Sequence, residues 1–226
     1  MKKIISTIAL LAFVSFGFAQ KAENIILKVE NFNTYNVTLK PEKYKGKEAL
    51  AAEQTTTRDS DRQYTFASLK NFEFHNGTIE VELTGEPKKD AIEGARGFVG
   101  IAFRVAQDTS AFECFYLRPT NARAEDQVRR NHSVQYISYP GFPWRKLRSE
   151  TPEKYETYTD LVAGEWTKLK IEVKDDKAKL FVNGAEQPTL LVNDLKQGKD
   201  KKGSVALWID IGTLARFANL KITKWD

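Results

Sequence analysis

The sequence predicts an all-β domain, built as a sandwich or a barrel. Three observations carry that expectation. Apolar and polar residues alternate with period 2 in many short runs, helical periodicity is hard to find, and turn-forming residues separate the runs. The alternation is plainest where Ile79, Val81 and Leu83 interleave with Thr78, Glu80 and Glu82, the pattern of a strand with one face buried.

Taken in chain order, the first segment is not part of that domain. Met1-Lys2-Lys3, the apolar run 4–18 and the small residue Ala19 have the layout of a secretory signal peptide over 1–19. The run falls short of the roughly 20 apolar residues that a spanning helix needs, and no cysteine follows it to take a lipid. Cleavage after Ala19 would leave one domain over 20–226, secreted or periplasmic and with no membrane contact after signal removal. A sandwich or barrel often runs to about 200 residues as one domain.

Within it, strands are expected at 24–30, 35–40, 49–54, 64–69, 97–104, 111–118, 133–138, 166–174, 177–182, 203–211 and 215–224, besides the run through Ile79. Asp175-Asp176 joins two alternating runs as a tight hairpin would, and Asn183-Gly184 closes the second with a turn. Two stretches break the rhythm, 85–96 and 119–159. The second is too long for an ordinary connection and too aromatic for a disordered one, holding Tyr136, Tyr139, Phe142, Trp144, Tyr155 and Tyr158.

Charge is unevenly spread. The chain carries a formal +5, yet Arg118, Arg123, Arg129, Arg130, Arg145, Lys146 and Arg148 face only Glu125 and Asp126 within 118–148. Concentrated positive charge fits nucleic acid, a membrane surface or an acidic small ligand. Export argues against nucleic acid as a partner and leaves an anionic glycan. The single cysteine, Cys114, cannot form an intramolecular disulfide, so the fold must rest on its core. In the run 111–117 that residue is expected as a small buried hydrophobe.

Several segments carry a resemblance. Gly164-Glu-Trp-Thr-Lys-Leu-Lys-Ile-Glu-Val-Lys174, Lys179-Leu-Phe-Val-Asn-Gly184, Gly203-Ser-Val-Ala-Leu-Trp-Ile209 and Ala215-Arg-Phe-Ala-Asn-Leu-Lys-Ile222 look like the C-terminal half of a concanavalin A-like lectin/glucanase domain. Within that superfamily they most resemble bacterial laminin-G-like and 3-keto-disaccharide hydrolase type domains. Asn76-Gly-Thr-Ile-Glu-Val-Glu82 and Gly97-Phe-Val-Gly-Ile-Ala-Phe-Arg104 fit the first half. The resemblance implies a two-sheet antiparallel jelly-roll β-sandwich whose concave sheet holds a sugar groove, with a carbohydrate as ligand or substrate. With Val99, Ile101 and Phe103 in the core, parity places Gly100, Ala102 and Arg104 on the groove face. The same parity puts Val205, Leu207 and Ile209 inside and Ala206, Trp208 and Asp210 opposite. A Trp and an Arg on one open face suit a sugar, the ring offering flat apolar area and the guanidinium forked donors.

The Glu-x-Asp-x-Glu signature of the best-known glucanases of this fold is absent, and Glu80 and Glu82 read as surface residues of an alternating strand. The segment 118–132, which lies where members of the superfamily place groove residues, gathers acid, base and donor types. Cleaving a glycoside takes two carboxyl groups, or a carboxyl and a His, across one bond. Glu113, Asp126 and His132 are the candidates for catalysis, with Arg104, Arg118, Asn121, Gln127 and Arg130 as substrate-binding donors. The competing reading is a solvated hairpin whose charges pair with one another. Tyr136, Trp144 and Trp208 are candidate stacking surfaces, against the alternative of a small core under a long loop. His75 reads as structural or exposed.

No His-x-x-x-His or Cys-x-x-Cys pattern points to a metal, while a structural calcium held by loop oxygens would leave no readable pattern. No feature specifies an oligomer. Two functions follow: an exported glycoside hydrolase or lyase, for which the resemblance offers 3-keto-glycosides as one substrate class, or a non-catalytic glycan-binding module for which an anionic polysaccharide is one ligand.

Overall fold

The structure is a computed structural model that describes residues 21–55 and 65–225. The expected signal segment and Tyr64, the first residue of one expected strand, lie outside them.

The strands, in order, are β1 (Lys21–Asn24), β2 (Phe32–Tyr35), β3 (Val37–Tyr44), β4 (Lys47–Gln54), β5 (Phe66–Leu69), β6 (Gly77–Pro87), β7 (Val99–Val105), β8 (Phe112–Leu117), β9 (Val134–Tyr139), β10 (Glu156–Thr157), β11 (Thr167–Lys174), β12 (Lys177–Val182), β13 (Leu190–Val192), β14 (Ser204–Ile209) and β15 (Thr213–Lys224). Two short helices, α1 (Gln127–Asn131) and α2 (Trp144–Glu150), interrupt the stretch after β8. The strands pair antiparallel into two sheets. One is ordered β13-β12-β11-β6-β15-β4-β3 with β1 added against β15, and the other β10-β9-β8-β7-β14-β5-β2. Strands distant in sequence lie side by side, such as β6 between β11 and β15, and the result is the expected jelly-roll sandwich.

The faces follow from register. Val99, Ile101 and Phe103 pair with Leu117, Phe115 and Glu113, and a side chain at Gly85 of the first sheet would strike Val99. This face of the second sheet therefore looks inward. Ile79, Val81 and Leu83 meet it from the first sheet, all buried, while Glu80 and Glu82 stand outside and pair with Lys221 and Lys47. Each fully buried aliphatic or aromatic side chain contributes roughly 1.5–3 kcal/mol, so a core with a dozen or more of them needs no disulfide. Cys114 is fully buried, and burial pushes its thiol well above the usual range, as a packing residue requires.

Asp175-Asp176 forms the two-residue hairpin between β11 and β12, with Lys174 opposite Lys177. The expected strand 35–40 is divided instead. At Asn36, φ is 53°, and the chain passes there from β2 in one sheet to β3 in the other. The expected strand 24–30 is also displaced, because β1 ends at Asn24 and a 3-10 turn follows at Val29–Asn31. Helices of 5 and 7 residues are too short to impose a readable 3.6-residue period, and neither was expected.

Parity holds for Trp208, opposite Gly100 on the outer face, but fails for Arg104. Between Ala206 and Ser204 the β14–β7 register shifts, and Arg104 occupies the bulge with φ of 53°. An extra residue in the left-handed region turns the side chain out of the alternation. Arg104 is fully buried and donates to His75 O, Asn76 Oδ1, Asp175 O and Gly198 O. It clamps the ends of the two sheets together instead of lining a groove.

Candidate functional site

The three residues expected to be catalytic are not brought together. Glu113 is fully buried on the inward face of β8, where its carboxylate takes hydrogen bonds from the Tyr136 hydroxyl and, at 2.7 Å, the Gln197 amide. Burial raises its pKa in spite of these bonds. Asp126 is exposed and caps α1, accepting from Val128 N at 2.8 Å and Arg129 N at 3.2 Å, the standard role of an Asp at a helix start. His132 lines a pocket that neither of the other two borders.

That pocket, about 260 Å³, lies at the end of the second sheet's outer face. It is bounded by Arg96, Phe98, Arg118, Asn121, Arg129 and His132, and closed by Trp144, Arg148, Asp210 and Gly94. At about 30 Å³ each, it would take about nine waters, which suits one sugar ring. Of the residues foreseen for the site, Arg118, Asn121, His132 and Trp144 meet here. Gln127 lies exposed on α1, its amide donating to Asn131, and Arg130 lies over the ring of exposed Tyr158. Tyr136 is fully buried on the inward face beside Tyr155. Trp208 is 5% exposed and packs on Tyr116, with ring centroids 4.7 Å apart. Neither of these two rings offers an open stacking surface; they belong to the core.

Local structure places each member. Arg118 directly follows inward-facing Leu117, so it turns outward, and its guanidinium donates to Tyr116 Oη at 2.7 Å, Gln135 Oε1 at 3.2 Å and His132 O at 3.0 Å. Asn121 donates to the same His132 carbonyl, and its own Oδ1 is buried without a partner. His132 forms the C-cap of α1, held by its amide to Arg129 O and Arg130 O. In α2, Trp144 and Arg148 are four residues apart and so share a helix face, while Leu147 is buried beneath. The Trp144 ring meets the guanidinium carbons of Arg148 at 4.7 Å, Arg145 at 5.0 Å and Arg118 at 5.7 Å.

Glu156 was missed in the sequence because it lies on β10, a strand of two residues that shows no alternation. It is 4% exposed. Arg148 grips both its oxygens, with Nη2 2.6 Å from Oε2 and Nε 2.9 Å from Oε1, and His132 Nδ1 lies 2.9 Å from Oε2 without an aligned hydrogen bond. Burial lowers the His132 pKa; Arg148 and Arg118 act in the same direction, while Glu156 opposes. The ring is therefore neutral at pH 7 with Nδ1 turned to the carboxylate, and among the described residues nothing hydrogen-bonds Nε2. The arrangement pairs a free base with the buried guanidinium of Arg118 and the half-buried ones of Arg96, Arg129 and Arg148. Among the described residues no cluster of three or more His, Cys, Asp or Glu stands ready for a metal.

Residues 30–223 match the model of a family described as the 3-keto-alpha-glucoside-1,2-lyase-like domain. Among solved structures, the chain is similar to the carbohydrate binding module CBM66 from Bacillus subtilis, at 15% identity and a TM-score of 0.52, over 84% of this chain and 96% of that one. It is also similar to a Bacillus subtilis protein of unknown function with a galectin-like fold, at 12% identity and a TM-score of 0.54, over 87% and 90%. At such identities the likeness is one of fold. No curated protein matches the chain.

Proposed function

The chain belongs to the family of 3-keto-alpha-glucoside-1,2-lyase-like domains, a carbohydrate-active domain, and from that premise we propose that it cleaves 3-keto-glycosides by elimination in the Arg118–His132–Trp144 pocket. The observation that carries the reading is the His132 imidazole lining one pocket with four guanidinium groups, and burial favours its neutral form.

In a 3-keto sugar the C2 hydrogen is acidified by the neighbouring carbonyl. His132 Nε2 removes that proton, and the C–H electron pair becomes an enolate with its charge on O3. A guanidinium beside O3 stabilises the charge; Arg118 is the buried candidate. The pair then returns to form the C1–C2 double bond, the C1–O1 bond breaks toward oxygen, and the imidazolium gives its proton to the departing alkoxide. Glycoside becomes enone plus alcohol, with no water or redox partner consumed. Glu156 stands 2.9 Å from Nδ1, and turning the ring to align that contact would place the carboxylate as one is placed behind a catalytic His. The signal-like segment 1–19 supports a secreted or periplasmic setting for this chemistry.

A glycan-binding module without turnover is the second reading, favoured by one observation: Glu113 and Asp126 stand apart from His132, so no foreseen carboxyl pair spans a bond. Mass analysis after incubating the protein with methyl 3-keto-α-D-glucopyranoside separates the two. The enone, together with a loss of about 10²–10⁴ in kcat for H132N, is expected. Saturable sugar binding with no enone would refute the lyase and leave the binding module.

A further inference from the structure

The four arginines of the pocket are not equally committed. Arg148 is spent on Glu156, and Arg118 donates to three neutral acceptors. Arg96 bonds only the backbone carbonyls of Glu93 and Ala95. Arg129 makes no side-chain hydrogen bond among the described residues, and its Nε is buried with no partner. Burial, and next the charge of Arg129, hold the pKa of Arg96 below the usual guanidinium range, while the Glu93 carboxylate opposes them. Asp210 also lines the pocket and accepts from the Ile211 amide. Two partly desolvated guanidiniums thus share one small pocket, and among the described residues no carboxylate is hydrogen-bonded to either. Such a pair is unfavourable alone and is relieved by an anion that takes hydrogen bonds from both.

Resting on the reading that this pocket holds the sugar, we propose that Arg96 and Arg129 receive a carboxylate carried by that sugar, so that the preferred ligand is an acidic glycoside of the uronic acid type. A carboxylate presents two oxygens to planar forks, which matches arginine better than lysine. The neutral hydroxymethyl group of a glucoside, at the same place on the ring, brings neither cation a hydrogen-bonded anion.

Calorimetric titration of the protein with methyl α-D-glucuronide and with methyl α-D-glucoside tests this directly. The glucuronide is expected to bind about tenfold more tightly at low salt, with the advantage shrinking as salt screens the pair. R96Q and R129Q should each bring the ratio of the two affinities close to one, and R129K, which keeps the charge, should retain part of it. Equal affinities in the unaltered protein, no glucuronide binding, an unchanged ratio in both Gln variants, or inorganic phosphate competing as strongly as the glucuronide would overturn the proposal. Cleavage of a neutral 3-keto-glucoside without any preference for the glucuronide would overturn it and leave the lyase standing. A clear glucuronide preference with no enone from any 3-keto-glycoside would do the reverse.

Discussion

His132 Nδ1 stands 2.9 Å from Glu156 Oε2, on a carboxylate already gripped by two nitrogens of Arg148. One buried negative charge is shared between a permanent cation and an ionisable ring. The guanidinium stays charged at any ordinary pH, so the desolvated imidazole is the member left neutral. Replacing Glu156 by Gln removes an influence that raises the His132 pKa. In E156Q, NMR titration of the imidazole should therefore show a lower pKa than in the parent. Stability should fall by about 1–3 kcal/mol as Arg148 loses its charged partner. A His132 titration identical in both proteins would mean that the ring does not sense this carboxylate.

Half-buried His132 and fully buried Glu113 make stability depend on pH in opposite senses. The folded His132 titrates below its ordinary 6.5 because burial disfavours its charge. Its contribution is present above 6.5 and lost as pH falls toward the folded pKa. Folded Glu113 titrates above its ordinary 4.5, again through burial. Its contribution is fully present below 4.5 and lost as pH rises through the folded pKa. Denaturant unfolding at pH values from about 4.5 to 6.5 should separate them: H132Q should remove the loss on the acid side, and E113Q the loss on the alkaline side. Three superimposable stability curves would refute both assignments.

The strands were legible because one-sided burial writes itself into the sequence at period 2, and Ile79 to Leu83, Leu169 to Val173 and Val205 to Ile209 all lie where alternation put them. The prediction failed where one residue broke the period. The bulge at Arg104 carried a groove candidate into a clamp between sheets, and the left-handed Asn36 moved a strand from one sheet to the other. Of the site, the basic aromatic stretch was visible, and Arg118, Asn121, His132 and Trp144, each named from the sequence, line one pocket. Arg96 lies in the other irregular loop, between β6 and β7, and Glu156 on a strand of two residues. Their convergence depends on long-range pairing, which local composition does not encode. Glu113 misled because a carboxylate on a strand can face either side, and only the register with Phe103 shows that this one faces in.

Trp144 is the wall of the pocket with the most to lose. Its ring is met by three guanidinium groups, each cation–π contact being worth about 0.5–1 kcal/mol where exposed. W144A should lower stability by about 1–2 kcal/mol, within that range for two or three contacts. Sugar affinity should drop more steeply, by about tenfold, since the apolar face against the ring is removed. Titration calorimetry on the folded variant checks this, and undiminished affinity would place the sugar away from Trp144.

Gly100 holds the site together from beneath. It lies on β7 opposite Tyr116 and next to Trp208, and a Cβ there would collide with the Phe115 carbonyl oxygen and come 2.6 Å from Tyr116 Cα and Cβ. Those atoms belong to the neighbouring strand's backbone and to the root of its side chain, so no rotamer change relieves the clash. β7 and β8 would have to separate, tilting the Tyr116 hydroxyl that holds Arg118 at 2.7 Å. G100A should therefore cost about 3 kcal/mol, at the upper end for overpacking, and weaken sugar binding through Arg118 although it touches no ligand. Denaturant unfolding and calorimetry on the same preparation read the two effects. A variant that loses stability yet binds sugar normally would show that the Tyr116–Arg118 bond does not position the pocket.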